Sequence, residues 1–163
     1  MNFLNCLGYL LIVGIAIFLI GRLFPRRWIA ADRFIFRSFA FEKEGKIYDK
    51  IKISKWKTKL PDMSVLITKI IPRFMKKKRV ETGNIEELKI LLKETCKAET
   101  THIIAALFGI PCLFIWKWLG GTLVFLCWLI CNLAFILIQR YNRPRIKKMI
   151  SMLEYRERLI TKK

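Results

Sequence analysis

Residues 103–138 form a run of thirty-six with no acid and a single charge, Lys117. As one straight helix this run would be about 54 Å long at 1.5 Å per residue, against a bilayer hydrocarbon core of ~30 Å. It must fold back on itself. The break is expected at residues 117–121, Lys-Trp-Leu-Gly-Gly, where a charge, interfacial tryptophans and paired glycines coincide. Each arm is short for a full crossing, so a two-pass and a re-entrant hairpin are both compatible with the run. In either case Gln139 returns to the side that His102 left.

A second apolar segment, residues 3–24, has the length of one crossing. A cleaved signal peptide would carry its positive charge ahead of the apolar run, whereas here Arg22, Arg26 and Arg27 follow it and no clean small-residue cleavage site is present. The segment is expected to be an uncleaved anchor. The net charge of +19 lies almost wholly outside these two segments, with twenty-one basic residues between Arg22 and Lys97 and nine between Arg140 and Lys163. A chain that is 54% hydrophobic yet so basic, with the two properties segregated, is patterned as an integral membrane protein. The positive-inside tendency puts both hydrophilic regions in the cytoplasm and the amino terminus outside the cell membrane. The fold class expected is therefore an all-α, multi-pass membrane domain: a transmembrane helix at 3–24, a cytoplasmic basic and aromatic region at 25–102 with interfacial amphipathic helices, the hairpin at 103–138, and a basic cytoplasmic tail at 139–163.

Within the 25–102 region, Trp28, Phe34, Phe36, Phe39, Phe41, Tyr48 and Trp56 alternate with Lys and Arg, as in a segment lying at headgroup level on anionic lipid. No nucleic-acid-binding module is recognisable, and nucleic acid is not an expected partner. Residues 63–74 space Met63, Leu66, Ile67, Ile70, Ile71 and Phe74 along one helical face, predicting an interfacial helix ended or kinked by Pro72. Asn84, followed by Glu86 and Glu87, reads as the cap of a helix that runs on into the apolar run. In the tail, Pro144 is expected to force a turn by pushing Arg143 out of helical geometry. The five cysteines make no paired framework and are assigned to packing; with one histidine and no Cys-x-x-Cys, neither metal nor bound cofactor is expected.

Any imidazole chemistry must use His102, the sole histidine. Glu99 precedes it by three residues, on a neighbouring helical face, and a carboxylate there is costly unless paired or solvated. The pair is the candidate catalytic site, with His102 as general base and Glu99 orienting the imidazole; the plainer alternative is an interfacial structural role. Arg140, Arg143 and Arg145 form a cluster able to clamp phosphates, or equally a stop-transfer patch on anionic lipid.

Three blocks carry a family resemblance: FIFRSFAFEKEGKIYDKIKISKWKTK at 34–59, ETCKAETTH at 94–102 and QRYNRPR at 139–145. In these blocks, about a quarter of the chain, the sequence resembles the glycosyl-4,4'-diaponeurosporenoate acyltransferases of staphyloxanthin-type carotenoid synthesis. The resemblance implies O-acylation of a sugar hydroxyl on a glycosylated carotenoid, or a related glycolipid, by a fatty acyl donor such as an acyl-CoA. Arg140, Asn142, Arg143 and Arg145, with Lys55, Trp56, Lys57, Lys59 and Thr95, are then the candidate substrate-binding residues. The His-x-x-x-x-Asp motif of the common glycerolipid acyltransferases is absent, because apolar residues follow His102. The rival expectation is a non-enzymatic membrane protein that binds anionic or glycosylated lipids or supports a biosynthetic complex.

Overall fold

The computed structural model describes residues 2–25, 29–31, 33–60 and 84–161, and among these there is no strand. The amphipathic helix expected at 63–74 lies outside the described residues. Helix α1 spans Asn2–Leu23. Two 3₁₀ turns follow, Phe34–Phe36 and Ala40–Gly45, then the one-turn helices α2 (Ile47–Lys50) and α3 (Ile53–Trp56). Helix α4 spans Ile85–Leu107, the short α5 spans Cys112–Ile115, and α6 runs from Leu119 to Thr161. Three stretches are long and apolar enough to cross a membrane: Asn2–Gly21, Ile85–Ile115 and Leu119–Thr161.

Helix α4 starts where its cap dictates. The Asn84 side chain accepts from the backbone N–H groups of Glu86 and Glu87 at 2.9 and 3.3 Å, and those two acids occupy the positive end of the helix dipole. The helix then continues without interruption from charged sequence into apolar sequence, as the Asn84 signal implied. It stops at Leu107, before Gly109 and Pro111, and the chain turns through α5 to residues 116–118. There the direction reverses, with Trp118 in left-handed backbone geometry at φ 69° and almost fully exposed. Gly120 and Gly121 are required at this reversal because a Cβ on Gly121 would lie 2.2 Å from the Trp116 carbonyl oxygen, and one on Gly120 would lie 2.1 Å from the Trp116 ring. The expected break and its glycines are therefore in place.

The tail departs from expectation. Helix α6 passes through Pro144 as one 43-residue element, about 65 Å at 1.5 Å per residue, and Arg143 is helical and buried. Proline removes the N–H that would serve the Arg140 carbonyl and crowds the turn below it. In the same turn Arg145 donates Nη1 to the neighbouring Tyr141 carbonyl at 2.8 Å. Pro144 itself packs beside Gly45, whose φ of 92° favours glycine. The steric preference against helix before proline is overridden by the ion pair that Arg143 makes, described below.

Helices α4 and α6 lie antiparallel along most of their length. Away from the apolar end, Leu88, Ile146 and Ile150 close the seam with Leu92, Met149 and Leu153. At the apolar end α1 covers the pair: Tyr9 donates its hydroxyl to the Phe108 carbonyl at 3.0 Å, Cys6 and Leu10 pack on Cys112, and Lys97 caps the Phe24 carbonyl at 3.2 Å. Helix α1 therefore runs antiparallel to α4, ending level with Lys97 and Thr101. Cys6, Cys96 and Cys112 are buried, while Cys127 and Cys131 are exposed on the outside of α6 with Leu126 and Ile130. An exterior of this kind suits hydrocarbon.

The Gly121 contact is with backbone oxygen and has no flexible neighbour to yield. Gly121→Ala is expected to destabilise the detergent-solubilised protein by about 1–3 kcal/mol, as overpacking does. Gly8, where an added methyl meets nothing within 4 Å, is the control, and Gly8→Ala should leave the thermal midpoint unchanged or slightly raised.

Candidate functional site

The boundary between the apolar and charged halves of the α4/α6 pair is occupied by four charges, three of them buried and the fourth, Arg140, 10% exposed at its side chain. Glu99 of α4, 2% exposed, gives one carboxylate oxygen to Arg140 Nη1 at 2.6 Å and the other to Arg143 Nη2 in a very short contact. Arg140 also donates Nε to Glu42 at 2.6 Å. Glu42, as buried as Glu99, accepts in addition from the Tyr48 hydroxyl at 2.8 Å and the Phe39 N–H at 3.2 Å. Burial and the hydrogen bond to Glu42 push the Tyr48 pKa up to about 12, so the phenol keeps its proton and acts as a donor throughout the physiological range. Two guanidinium groups thus meet two carboxylates, and the network is balanced.

The same arginines fasten the 33–60 segment to the helix pair. Arg140 donates to the carbonyls of Ile35 and Arg37, and Arg143 to that of Phe36 at 3.1 Å. Their planes lie over aromatic rings, Arg140 at 4.5 Å from the Phe39 centroid and Arg143 at 5.3 Å from that of Phe36. Tyr48, Ile53 and Tyr141 pack beneath. Phe34, Phe39 and Phe41 remain exposed as a contiguous aromatic ledge beside Arg140.

His102 sits three residues beyond Glu99, on the flank of α4 that faces α6, but its partner is different. Its Nδ1 lies 3.0 Å from Asn132 Oδ1, and its ring stacks on Phe135 with centroids 4.7 Å apart and planes 7° from parallel. Asn132 in turn donates to the Trp128 carbonyl at 2.9 Å, and Trp128 donates its indole N–H to the Ala105 carbonyl at 2.7 Å. The expectation that Glu99 orients the imidazole is therefore corrected: both of its oxygens are taken by arginines, and an amide on α6 holds the ring. Nε2 has no hydrogen-bond partner among the described residues and is not sealed inside the protein.

The arginine cluster is also rearranged relative to expectation. Arg140 and Arg143 are committed to Glu99, Glu42 and backbone carbonyls, and Thr95 belongs to the same set, its hydroxyl accepting from Arg143 Nε at 3.4 Å. A phosphate clamp built on those two arginines would have to displace buried carboxylates. Arg145 pairs with Asp49 at 2.8 Å where both are substantially exposed. Lys57 donates to Asn142 at 3.2 Å and lies over the Tyr141 ring, and Trp56 donates to the Ile51 carbonyl at 3.1 Å. Lys55 and Lys59 are exposed. Sequence reasoning missed Glu42, Asn132 and Phe135. The signal for Asn132 was a lone amide inside an apolar run, which is expensive unless it is used; Glu42 was masked by the basic residues around it.

The fold is thus an all-helical assembly with three stretches long and apolar enough to cross a membrane, and it sets a partly exposed imidazole one turn from a balanced buried ion network. Comparison with known proteins is specific. The family model for glycosyl-4,4'-diaponeurosporenoate acyltransferase matches residues 32–152, a range that contains every network residue as well as His102, Asn132 and Phe135. Relatives of that name from Staphylococcus aureus strains MRSA252, N315 and bovine RF122 / ET3-1 are each 33% identical over 156 residues, covering 93% of this chain and 89% of theirs. The chain belongs to the glycosyl-4,4'-diaponeurosporenoate acyltransferase family, a family of acyltransferases. No solved structure matches it.

Removing one partner from a buried ion network leaves the others uncompensated. Glu99→Ala, which strands Arg140 and Arg143, is expected to cost about 3–5 kcal/mol and to free residues 33–60 for proteolysis. Asp49→Asn, at the exposed end, should change stability by about 0–1 kcal/mol. Thermal melting in detergent and limited proteolysis measure both.

Proposed function

We propose that this protein transfers a fatty acyl group to a sugar hydroxyl of a glycosylated diaponeurosporenoate, with His102 as the general base, at the cytoplasmic face of the cell membrane. The acceptor class follows from the names of the relatives. The observation that carries the mechanism is the His102 ring itself, held on one nitrogen and without a hydrogen-bond partner among the described residues on the other. That second nitrogen takes the proton of the sugar hydroxyl as its oxygen attacks the acyl carbonyl, forming the new C–O bond. The tetrahedral intermediate then collapses with cleavage of the bond to the leaving group, and the imidazolium returns the proton to it. For an acyl thioester donor the leaving group departs as a thiol. No covalent enzyme intermediate is needed.

The architecture supports this reading. Apolar tails of donor and acceptor can lie along the exposed hydrocarbon-like faces of α1 and α6, while polar head groups meet the boundary where His102 and the Phe34–Phe39–Phe41 ledge stand. The basic residues at the far ends of α4 and α6 favour the cytoplasm, which leaves the amino terminus outside. With Arg140 and Arg143 engaged, the exposed Lys55 and Lys59 are the better candidates for the phosphates of an acyl-CoA.

His102→Ala is expected to lower kcat for acyl transfer by about 10²–10⁴-fold, the range a positioned base contributes, while the thermal midpoint holds within a few degrees. Undiminished transfer by the purified variant, assayed in detergent with products weighed by mass spectrometry, would exclude the imidazole. Replacing both Lys55 and Lys59 by Glu should raise KM for an acyl-CoA donor severalfold, with a salt-sensitive effect and little change in kcat; an unaltered KM would remove these lysines from donor binding.

A further inference from the structure

We propose that Asn132 is a positioning residue that sets the tautomer of His102, fixing the proton on Nδ1 and leaving the lone pair on Nε2. This rests on the reading of His102 as the base and adds which nitrogen acts and what selects it. The chain of donors and acceptors permits one assignment. A backbone carbonyl can only accept, so the Asn132 atom 2.9 Å from the Trp128 carbonyl must be the amide nitrogen. Flipping the amide would set its oxygen against that carbonyl, acceptor against acceptor, inside an apolar seam where such a loss is costly. The Asn132 atom facing the imidazole is therefore the oxygen, again an acceptor only. His102 Nδ1, 3.0 Å away, must carry the hydrogen, and in a neutral ring the lone pair then belongs to Nε2.

The support for Asn132 is itself rigid. It is 6% exposed, and the carbonyl it uses belongs to Trp128, whose indole is tied across to α4 at Ala105. Gly109 makes room for that indole: a Cβ there would lie 2.5 Å from Trp128 Cδ1. Phe135, one turn nearer the charged end of α6, fixes the plane of the imidazole by stacking. Oriented in this way, the ring keeps as its basic nitrogen the one that has no hydrogen-bond partner among the described residues. Without Asn132, a neutral imidazole is free to carry its proton on Nε2, where it cannot take one from a hydroxyl.

Because His102 is the sole histidine, the assignment can be read directly. The full-length protein, labelled with ¹⁵N in the imidazole, carrying no histidine tag and held in detergent at a pH where the ring is neutral, gives one pair of ring nitrogens. In the wild type Nδ1 should resonate as a protonated, pyrrole-type nitrogen and Nε2 as an unprotonated, pyridine-type one; the reverse assignment overturns the proposal even if no variant folds. Asn132→Leu should shift the population toward Nε2–H and lower kcat at least tenfold with KM little changed, whereas Asn132→Asp, which retains an acceptor for Nδ1–H, should restore the tautomer and recover kcat relative to Leu. An Asn132→Leu protein whose ring nitrogens are unmoved would sink the positioning role while leaving the base untouched. Full activity in His102→Ala would sink the base while leaving the tautomer assignment standing.

Discussion

Glu99 is a carboxylate shared between two arginines of the opposing helix, and the geometry of the whole boundary depends on it. Taking four charges out of water is unfavourable by several kcal/mol per ion, and attraction between them offsets that only where every oxygen and N–H is used. Here the use is complete: among the described residues no buried side-chain nitrogen or oxygen lacks a partner. An interaction that is costly when misaligned and adequate when aligned is a register device. It selects one sliding position of α4 against α6, since displacing either helix by a turn would separate Glu99 from both Arg140 and Arg143.

That register has consequences in both directions along the pair. On the charged side it brings Leu88 against Ile146 and Ile150, and it hands the spare N–H groups of the arginines to the carbonyls of residues 35–37, which pins the aromatic segment to the helices. On the apolar side it aligns Asn132 with His102 and Trp128 with Ala105. The two arginines Arg140 and Arg143, which a charge count assigns to ligand binding, are therefore engaged in holding the helix register and the aromatic segment. The ability of α6 to remain helical through Pro144 belongs to the same logic, because a turn at that point would withdraw Arg143 from Glu99.

What the sequence disclosed follows from which signals are local. The fold-back of residues 103–138, the Gly120–Gly121 reversal and the Asn84 cap depend on neighbours within a few positions, and each stands where its residues implied. That Glu99 and the arginines would need partners was also legible, since an acid and a cluster of guanidiniums beside an apolar run need explanation. Their pairing was not. Glu99 meets Arg140 across forty-one positions and Glu42 meets Arg140 across ninety-eight, so helical spacing favoured the nearer but wrong partner, His102. Pro144 misled for the same reason: a local steric preference was outweighed by a long-range ion pair invisible to it.

The separation of Glu99 from His102 has a chemical advantage over the pairing that spacing suggested. A base taking a hydroxyl proton must accommodate a new positive charge, and any unbalanced arginine one helical turn away would oppose it. With Glu42 and Glu99 each compensating a guanidinium, the network contributes position without a net field of that sign. A neutral amide then suffices to aim the ring, and it does so without the strong stabilisation of the charged imidazole that a buried carboxylate partner would bring. On the proposed mechanism, an imidazole held this way can surrender its proton again when the leaving group departs, which acyl transfer would require of the same nitrogen that accepted it.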